Sequence, residues 1–442
     1  MRNKLIVLSF DALESVDLDT FARLPYLGEV MRRASVVRSV REVYPTLTYP
    51  IHTSIITGVR PDRHGIFHNQ RASLNPERPD WNIMGSDWYW EKESIKSPTL
   101  VDAVIEAGGE VATVSWPVTA GDMRGINLPE IWPVPGRGED PRRVYERAAS
   151  PEAMRLYFNK YYAHFNWTDN CDMVKYSVEA ALDIVRDHAP DLLLCHAVQL
   201  DHVRHQYGNT SMEVAECLRE LDIIAGRFMQ AARDAWIYEC TNFVILGDHG
   251  QIDVEALFNM NVLLREAGFI DADADGRALS CHAYSFSAGF STHIHVPGGG
   301  DLLRARVYEC LLDIKRRYPE HIERVMTARE VGDEEGLTGD FAFVVEGAQS
   351  VLFENALTGP VIIPRGSDQY HSYAANHGHH PSKGNKPPFI AFGPDVAEGI
   401  AIESGDMMDI CPTLTALAGV SMPGMEGTVF PILREMDARE SA

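Results

Sequence analysis

Four separated segments of this chain run from apolar residues into side chains able to hold a divalent ion. They are VLSFDALE with Asp11, YPTLTYPIHTSIITG with Thr48, QLDHVRHQYG with Asp201 and His205, and ILGDHGQ with Asp248 and His249. A carboxylate at the end of a strand supplies the oxygen that a hard or borderline divalent ion needs. On its own, an aspartate in that place is more often a turn or helix cap. The pair Asp248-His249 before Gly250 is more specific, because a carboxylate and an imidazole in one tight turn can share an ion. Asp201 and His205 stand four apart, which brings them to one face of a helical turn or around one loop, and mixed oxygen and nitrogen donors suit zinc. A late NHGHHP segment adds His377, His379 and His380. One loop rarely uses three histidines as ligands, and spacing alone does not choose among them. His188, His196 and His202 lie near these segments and read as packed or exposed histidines rather than ligands.

These segments need elements that bring them to one place. KLIVLSF, EVATVSW, PDLLLCHAV, NFVILGD and PFIAFG are short apolar runs, the pattern of strands buried on both faces of a parallel sheet. Helix-like stretches alternate with them, among them SPTLVDAVIEAGG, with Pro98 near its start and Gly108-Gly109 as its stop, and MVKYSVEAALDIVRDHAP, which closes on a proline. The expected class is α/β with a doubly wound core, so that ligand loops gather at the carboxyl ends of the strands. Residues 258–376 differ, with β-like alternation in AYSFSAGFSTHIHV and FAFVVEG around a helix-like DLLRARVYECLLDIKRRY. They read as an inserted α+β subdomain closing over one side of a core made of 1–257 and 377–442. The aromatic stretch from Trp81 to Trp90 reads as a second, smaller insertion.

Composition narrows the partners. A formal net charge of −23 and the lack of any Lys/Arg cluster exclude a nucleic-acid polymer, while leaving room for a small anion at a locally cationic site. The seven cysteines, Cys171, Cys195, Cys217, Cys240, Cys281, Cys310 and Cys411, form no CxxC pair, which fits a reducing compartment. The apolar run at the N-terminus leads straight into Asp11, so it does not read as a cleaved signal, and no run of about 18 apolar residues suggests a membrane span. The expectation is a cytoplasmic protein with no membrane partner; its oligomeric state is not legible.

Taken in order, SFDALE, YPTLTYPIHTSIITGVRPDRHGIFHN, LDHVRHQYG, GDHG and NHGHHP resemble the nucleotide pyrophosphatase/phosphodiesterase family of the alkaline phosphatase superfamily. The resemblance implies an alkaline-phosphatase-like core with a largely parallel central sheet flanked by helices. It also implies hydrolysis of phosphodiester or pyrophosphate bonds in small, anionic, nucleotide-like substrates at a site with two divalent ions, zinc or else manganese. Thr48, the second threonine of PTxT, takes the nucleophile's place and forms a covalent phospho-threonine; Thr46 is the reserve. Asp11, Thr48, Asp248 and His249 resemble the ligands of one ion, and Asp201, His205 and His377 those of the other. The Asn69 amide would hold a non-bridging phosphate oxygen together with the Thr48 N–H, and Tyr49 would stack on a base or leaving group. The alternatives are a phosphonate hydrolase or phosphomonoesterase of the same superfamily and, more remotely, a non-catalytic metal or nucleotide binder. Ala12, Ile51, Arg204 and Gln251 depart from the family pattern. Arg204 is expected in a surface ion pair or, failing that, on a charged substrate group.

Overall fold

KLIVLSF forms strand β1 (Lys4–Phe10), which lies inside an eight-stranded sheet of the computed structural model. The structure describes residues 3–77, 79–81, 84–131, 140–161, 170–273 and 277–434. Six more strands flank β1 in the first part of the chain's core and at its end: β2 (Ser35–Arg41), β3 (Val111–Val114), β4 (Ile126–Leu128), β5 (Leu192–Ala197), β6 (Thr241–Leu246) and, after the insertion, β11 (Phe389–Phe392); β12 (Ala401–Asp406) completes the sheet. Their order is β12-β2-β11-β6-β1-β5-β3-β4. Strand β1 pairs in parallel with both β5 and β6, in a register that sets Ser9 beside His196 and Leu246. The segments that follow these three strands therefore leave the sheet at the same end; Asp11 and Asp248 lie in the loops after β1 and β6, and Asp201 in the first turn of the helix after β5.

Alternation along β1 divides the core. Ile6, Leu8 and Phe10 pack on one side with residues of helices α3 (Asn170–His188) and α5 (Met212–Asp234). Leu5 and Val7 pack on the other with α1 (Thr48–Thr57) and α2 (Leu100–Glu106). Each such aliphatic side chain contributes about 1.5–3 kcal/mol when fully buried. The short α4 (Gln199–Tyr207) follows β5 directly.

One expected strand runs the other way. β11, the PFIAFG run, is antiparallel to both β2 and β6. Its direction follows from the chain's path, because the segment before it comes back from His377 at the carboxyl end of the sheet and must descend. β2 and β12 lack a continuous apolar run, because β12 is the partly exposed edge and β2, paired on both sides, still mixes polar and apolar residues.

Residues between β6 and β11 build a second sheet in the order β7-β8-β10-β9, with β7 (Tyr284–Ser287), β8 (Ser291–His295), β9 (Ile322–Thr327) and β10 (Phe343–Gly347). Helix α6 (Asp301–Arg317) packs on it, and a separate apolar cluster that includes Phe286, Ile294, Val307, Leu311 and Val345 fills the space between. The chain enters and leaves this unit at neighbouring points, since Ile252-Asp253 pairs with Ala375-Asn376. Trp81 and Met84 of the aromatic stretch pack against its core.

Candidate active site

Helix α1 starts at Thr48 after an extended Leu47 and stops at Gly58 in the left-handed region, φ 67°. All ten of its residues are buried. Its first N–H groups have no partner within the helix, and the helix dipole adds partial positive charge, so the start of α1 suits an anion. The Thr48 hydroxyl lies 3.3 Å from His249 Nε2. One turn on, His52 donates from Nδ1 to the Thr48 carbonyl at 2.9 Å, which leaves Nε2 to accept from the Ser9 hydroxyl at 2.9 Å. Asn69 accepts the Tyr49 N–H on Oδ1 at 2.9 Å, so its NH₂ group is free to donate elsewhere. Thr46 is committed to the backbone, donating to the His379 carbonyl and accepting the Gly378 N–H.

Four donors around a tetrahedral ion with bonds of about 2.0–2.1 Å stand about 3.3–3.4 Å apart. His249 Nε2 is 3.3 Å from each of Asp11 Oδ1, Asp248 Oδ2 and Thr48 Oγ1. Asp11 Oδ1 and Asp248 Oδ2 are both buried without a hydrogen-bond donor. Orphaned carboxylate oxygens at tetrahedral spacing fit a cation. Beside them, Asp201, His205 and His377 form a second group. His205 Nε2 is 3.2 Å from Asp201 Oδ2, and His377 Nε2 is 3.7 Å from Asp201 Oδ1. Each imidazole donates from Nδ1 to a backbone carbonyl, His205 to Ala375 at 2.8 Å and His377 to Thr46 at 2.9 Å, which presents Nε2 inward. Three protein donors leave positions open for water or substrate. The His249 and His377 rings stack 3.9 Å apart, so the two groups adjoin.

Of the three late histidines, only His377 enters the site. His379 is buried with Gly384 against its ring and belongs to neither donor group, and His380 pairs with Glu335 at 3.0 Å. The glycine after His377 is required by space, since Gly378 has φ 84° and a Cβ there would come within 1.6 Å of the Ala288 carbonyl oxygen.

Charge in the site follows burial. Burial first, then repulsion by Asp248 and Asp201, raises the Asp11 carboxyl well above the usual carboxylate range, and Asp248 is raised by burial too. Burial would also raise Asp201, but His205, His377 and His249 outweigh it and hold Asp201 far below its usual range. Burial lowers His249 to about 4 and His377 to about 3, so both are neutral donors near neutral pH. Burial opposes charge on His205 as well, yet Asp201 holds that ring above the usual imidazole range.

Three sequence expectations change. Arg204 is neither at the surface nor at the substrate's place: it is 1% exposed and pairs with Glu14 at 3.0 Å and Asp17 at 2.6 Å. A guanidinium on the inward face of α4 is held by acids of the loop after β1, a contact distant in sequence. Tyr49 offers no stacking face here, because its ring is fully buried against Trp88 and packed with Ile66 and Val118. His196 was set aside, yet it lies inside the site, with Nε2 3.2 Å from Asp11 Oδ2 and Nδ1 2.8 Å from Glu130 Oε2. Its position in an apolar strand hid it; the register beside Ser9 is what brings it to Asp11. His188 makes an edge contact with Tyr157 outside the site. Gln251, another departure from the family pattern, donates from Nε2 to Asp201 Oδ1.

The chain is 24% identical over 246 residues to human ectonucleotide pyrophosphatase/phosphodiesterase family member 1, covering 55% of this chain and 23% of that protein. It is 24% identical over 254 residues to the venom phosphodiesterase of Macrovipera lebetinus, covering 56% of this chain and 26% of that one. The match thus spans about a quarter of the length of these curated relatives. Among solved structures, murine ectonucleotide pyrophosphatase/phosphodiesterase 5 superposes with a TM-score of 0.69 at 17% identity, covering 98% of this chain and 100% of that one. An inactive form of the same murine protein in complex with AMP gives 0.68 at 16% identity, covering 97% and 98%. The fold is therefore shared, alkaline-phosphatase-like core included. Residues 5–350 match the sequence profile described as type I phosphodiesterase / nucleotide pyrophosphatase, a span that holds every residue of the two donor groups except His377. On that match this chain belongs to the type I phosphodiesterase/nucleotide pyrophosphatase family.

Proposed function

We propose that the chain hydrolyses phosphodiester or pyrophosphate bonds in small nucleotide-like substrates, using two divalent ions, zinc or manganese, and Thr48 as nucleophile. The observation that carries this reading is the Thr48 hydroxyl at the open end of α1, 3.3 Å from His249 Nε2 in a cradle of orphaned carboxylate oxygens. Asp11, Asp248 and His249 would hold one ion and Asp201, His205 and His377 the other. When bound, such ions supply Lewis-acid stabilisation of negative charge and lower the acidity barrier of a bound hydroxyl.

The chain's own groups account for the rest. His52 holds the Thr48 carbonyl, which fixes the start of α1, and the Thr48 N–H there is left for an incoming anion, since the Tyr49 N–H goes to Asn69, Pro50 has none and the Ile51 N–H bonds to the Leu47 carbonyl. Thr48 Oγ1 bonds to phosphorus as the ester or anhydride oxygen opposite it departs; the hydroxyl's proton ends on that leaving oxygen, giving a phospho-threonine ester and an alcohol, or a phosphate from a pyrophosphate. Water then takes the phosphoryl group from Thr48, and one water is consumed over both steps. The Asn69 NH₂, turned outward by the Tyr49 N–H, donates to a non-bridging oxygen as charge builds on it.

The substrate class is tested by assaying the metal-loaded protein on a chromogenic phosphodiester, a nucleotide pyrophosphate, a phosphomonoester and a phosphonate in parallel. Preference for the first two is expected. Preference for the monoester or the phosphonate would replace this reading with the related hydrolase. Absence of turnover on all four with two ions bound would leave a metal-binding protein. A reducing compartment is the location that the thiols support, since the six described cysteines are unpaired, with the Cys171 side chain outside the described residues. Among the described residues no helix is long and apolar enough to cross a membrane.

A further inference from the structure

We propose that Glu130 and His196 form a brace that sets the rotation of the Asp11 carboxylate, and thereby the strength of ion binding at Asp11, Asp248 and His249. The inference rests on the reading of those three residues as ion ligands. His196 is 1% exposed on β5, and Glu130, just after β4, is 2% exposed. The imidazole bridges two carboxylates, with Nδ1 2.8 Å from Glu130 Oε2 and Nε2 3.2 Å from Asp11 Oδ2. The Nε2 approach is an electrostatic contact rather than an aligned hydrogen bond, and no hydrogen-bond partner holds Nε2 elsewhere. The opposite oxygen of the same aspartate, Oδ1, is the one 3.3 Å from His249 Nε2. A carboxylate held at one oxygen by an imidazole can present the other in one orientation only, while an unbraced one can turn about its Cβ–Cγ bond.

Two further features favour a brace over ordinary packing. The His196 ring lies 4.2 Å from that of His52, so the residue that steadies Asp11 leans on the residue that steadies the Thr48 carbonyl. The nucleophile and the ion ligand are thus supported by adjacent rings. A buried acid–base pair is also a weak source of stability compared with apolar groups of the same volume, which removes the simplest structural reason for placing Glu130 and His196 in this core. His196 acts through Asp11 and is a positioning residue.

The test is chelator competition on zinc- or cobalt-loaded protein, comparing wild type with His196→Phe, His196→Gln and Glu130→Gln. Wild type should release two ions with separable affinities. His196→Phe should weaken one of them by roughly 10- to 100-fold and leave the other unchanged, the usual scale for losing a group that orients a ligand. The cobalt absorption of the weakened site should change with it, while that of the other site should not. Glu130→Gln, which still offers an acceptor to Nδ1, should lose less than His196→Phe. Unchanged affinities in His196→Phe would overturn the brace. So would parallel weakening of both sites with a lower melting temperature, which marks a packing role, or a fall from three bound ions to two, which marks His196 as a ligand in its own right. If wild type binds no ion pair, it is the reading of the ligands that fails instead.

Discussion

At the scale of single residues, the chemistry depends on which atoms are left free once neighbours have been satisfied. Thr46 and Thr48 are the two threonines of the PTxT run, and the structure separates them: Thr46 is bonded to two backbone groups while Thr48 faces His249. Asn69 has its carbonyl oxygen occupied and its NH₂ available. Asn69→Ala should therefore impair the chemical step by about 2.7–4 kcal/mol, roughly a hundredfold to thousandfold in rate, with ion content unchanged. Normal turnover per folded molecule, with only stability reduced, would make it a turn residue. The titrating groups give a second expectation. Ions bind the deprotonated donors, so protons on His205, held above the usual imidazole range, and on the raised Asp11 and Asp248 compete with them. Ion affinity should rise with pH through the His205 range, and loading near neutrality should release protons into a weakly buffered solution. His249 and His377, lowered to about 4 and about 3, should add nothing there. Affinity that stays flat across this range, without proton release, would contradict the assignment.

At the scale of elements, the turn between β7 and β8 supports two active-site loops at once. Its residue Ser287 accepts from His68, next to Asn69, while Phe290 and Ser291 donate to the carbonyls of His377 and Gly378. The second sheet thus tethers the segments that carry Asn69 and His377. His377→Ala should lower occupancy of the second ion far more than His379→Ala or His380→Ala, as elemental analysis of the purified variants would report; two ions retained without His377 would remove it from the site. The loop after β1 is tied down differently, by Arg204. Replacing Arg204 with alanine leaves Glu14 and Asp17 buried without their cation, which should cost about 3–5 kcal/mol of unfolding free energy. Denaturant unfolding measures it, and a loss under about 1 kcal/mol would show the pair to be dispensable.

At the scale of the whole molecule, the parts most legible in the sequence were those written in local pattern. Apolar runs such as KLIVLSF and NFVILGD marked the central strands, and residue type marked the aspartates and histidines that follow them. What stayed hidden depends on contacts distant in sequence. Strand β11 reverses because of where the insertion returns the chain, Arg204 is buried by acids nearly two hundred residues away, and His196 reaches Asp11 only through sheet register. The acidity of the molecule, −23 in formal charge, sits with a site whose ions would make it locally positive and so able to draw in a phosphate ester. The central claim is that Thr48 is the group that attacks phosphorus within that site. Its most direct test is the turnover of metal-loaded Thr48→Ala on a chromogenic phosphodiester, measured per bound ion pair. The account predicts a fall of roughly 10⁴-fold or more with both ions retained, since six Asp and His ligands remain. Turnover near the wild-type rate, with Thr46→Ala inactive instead, would contradict it.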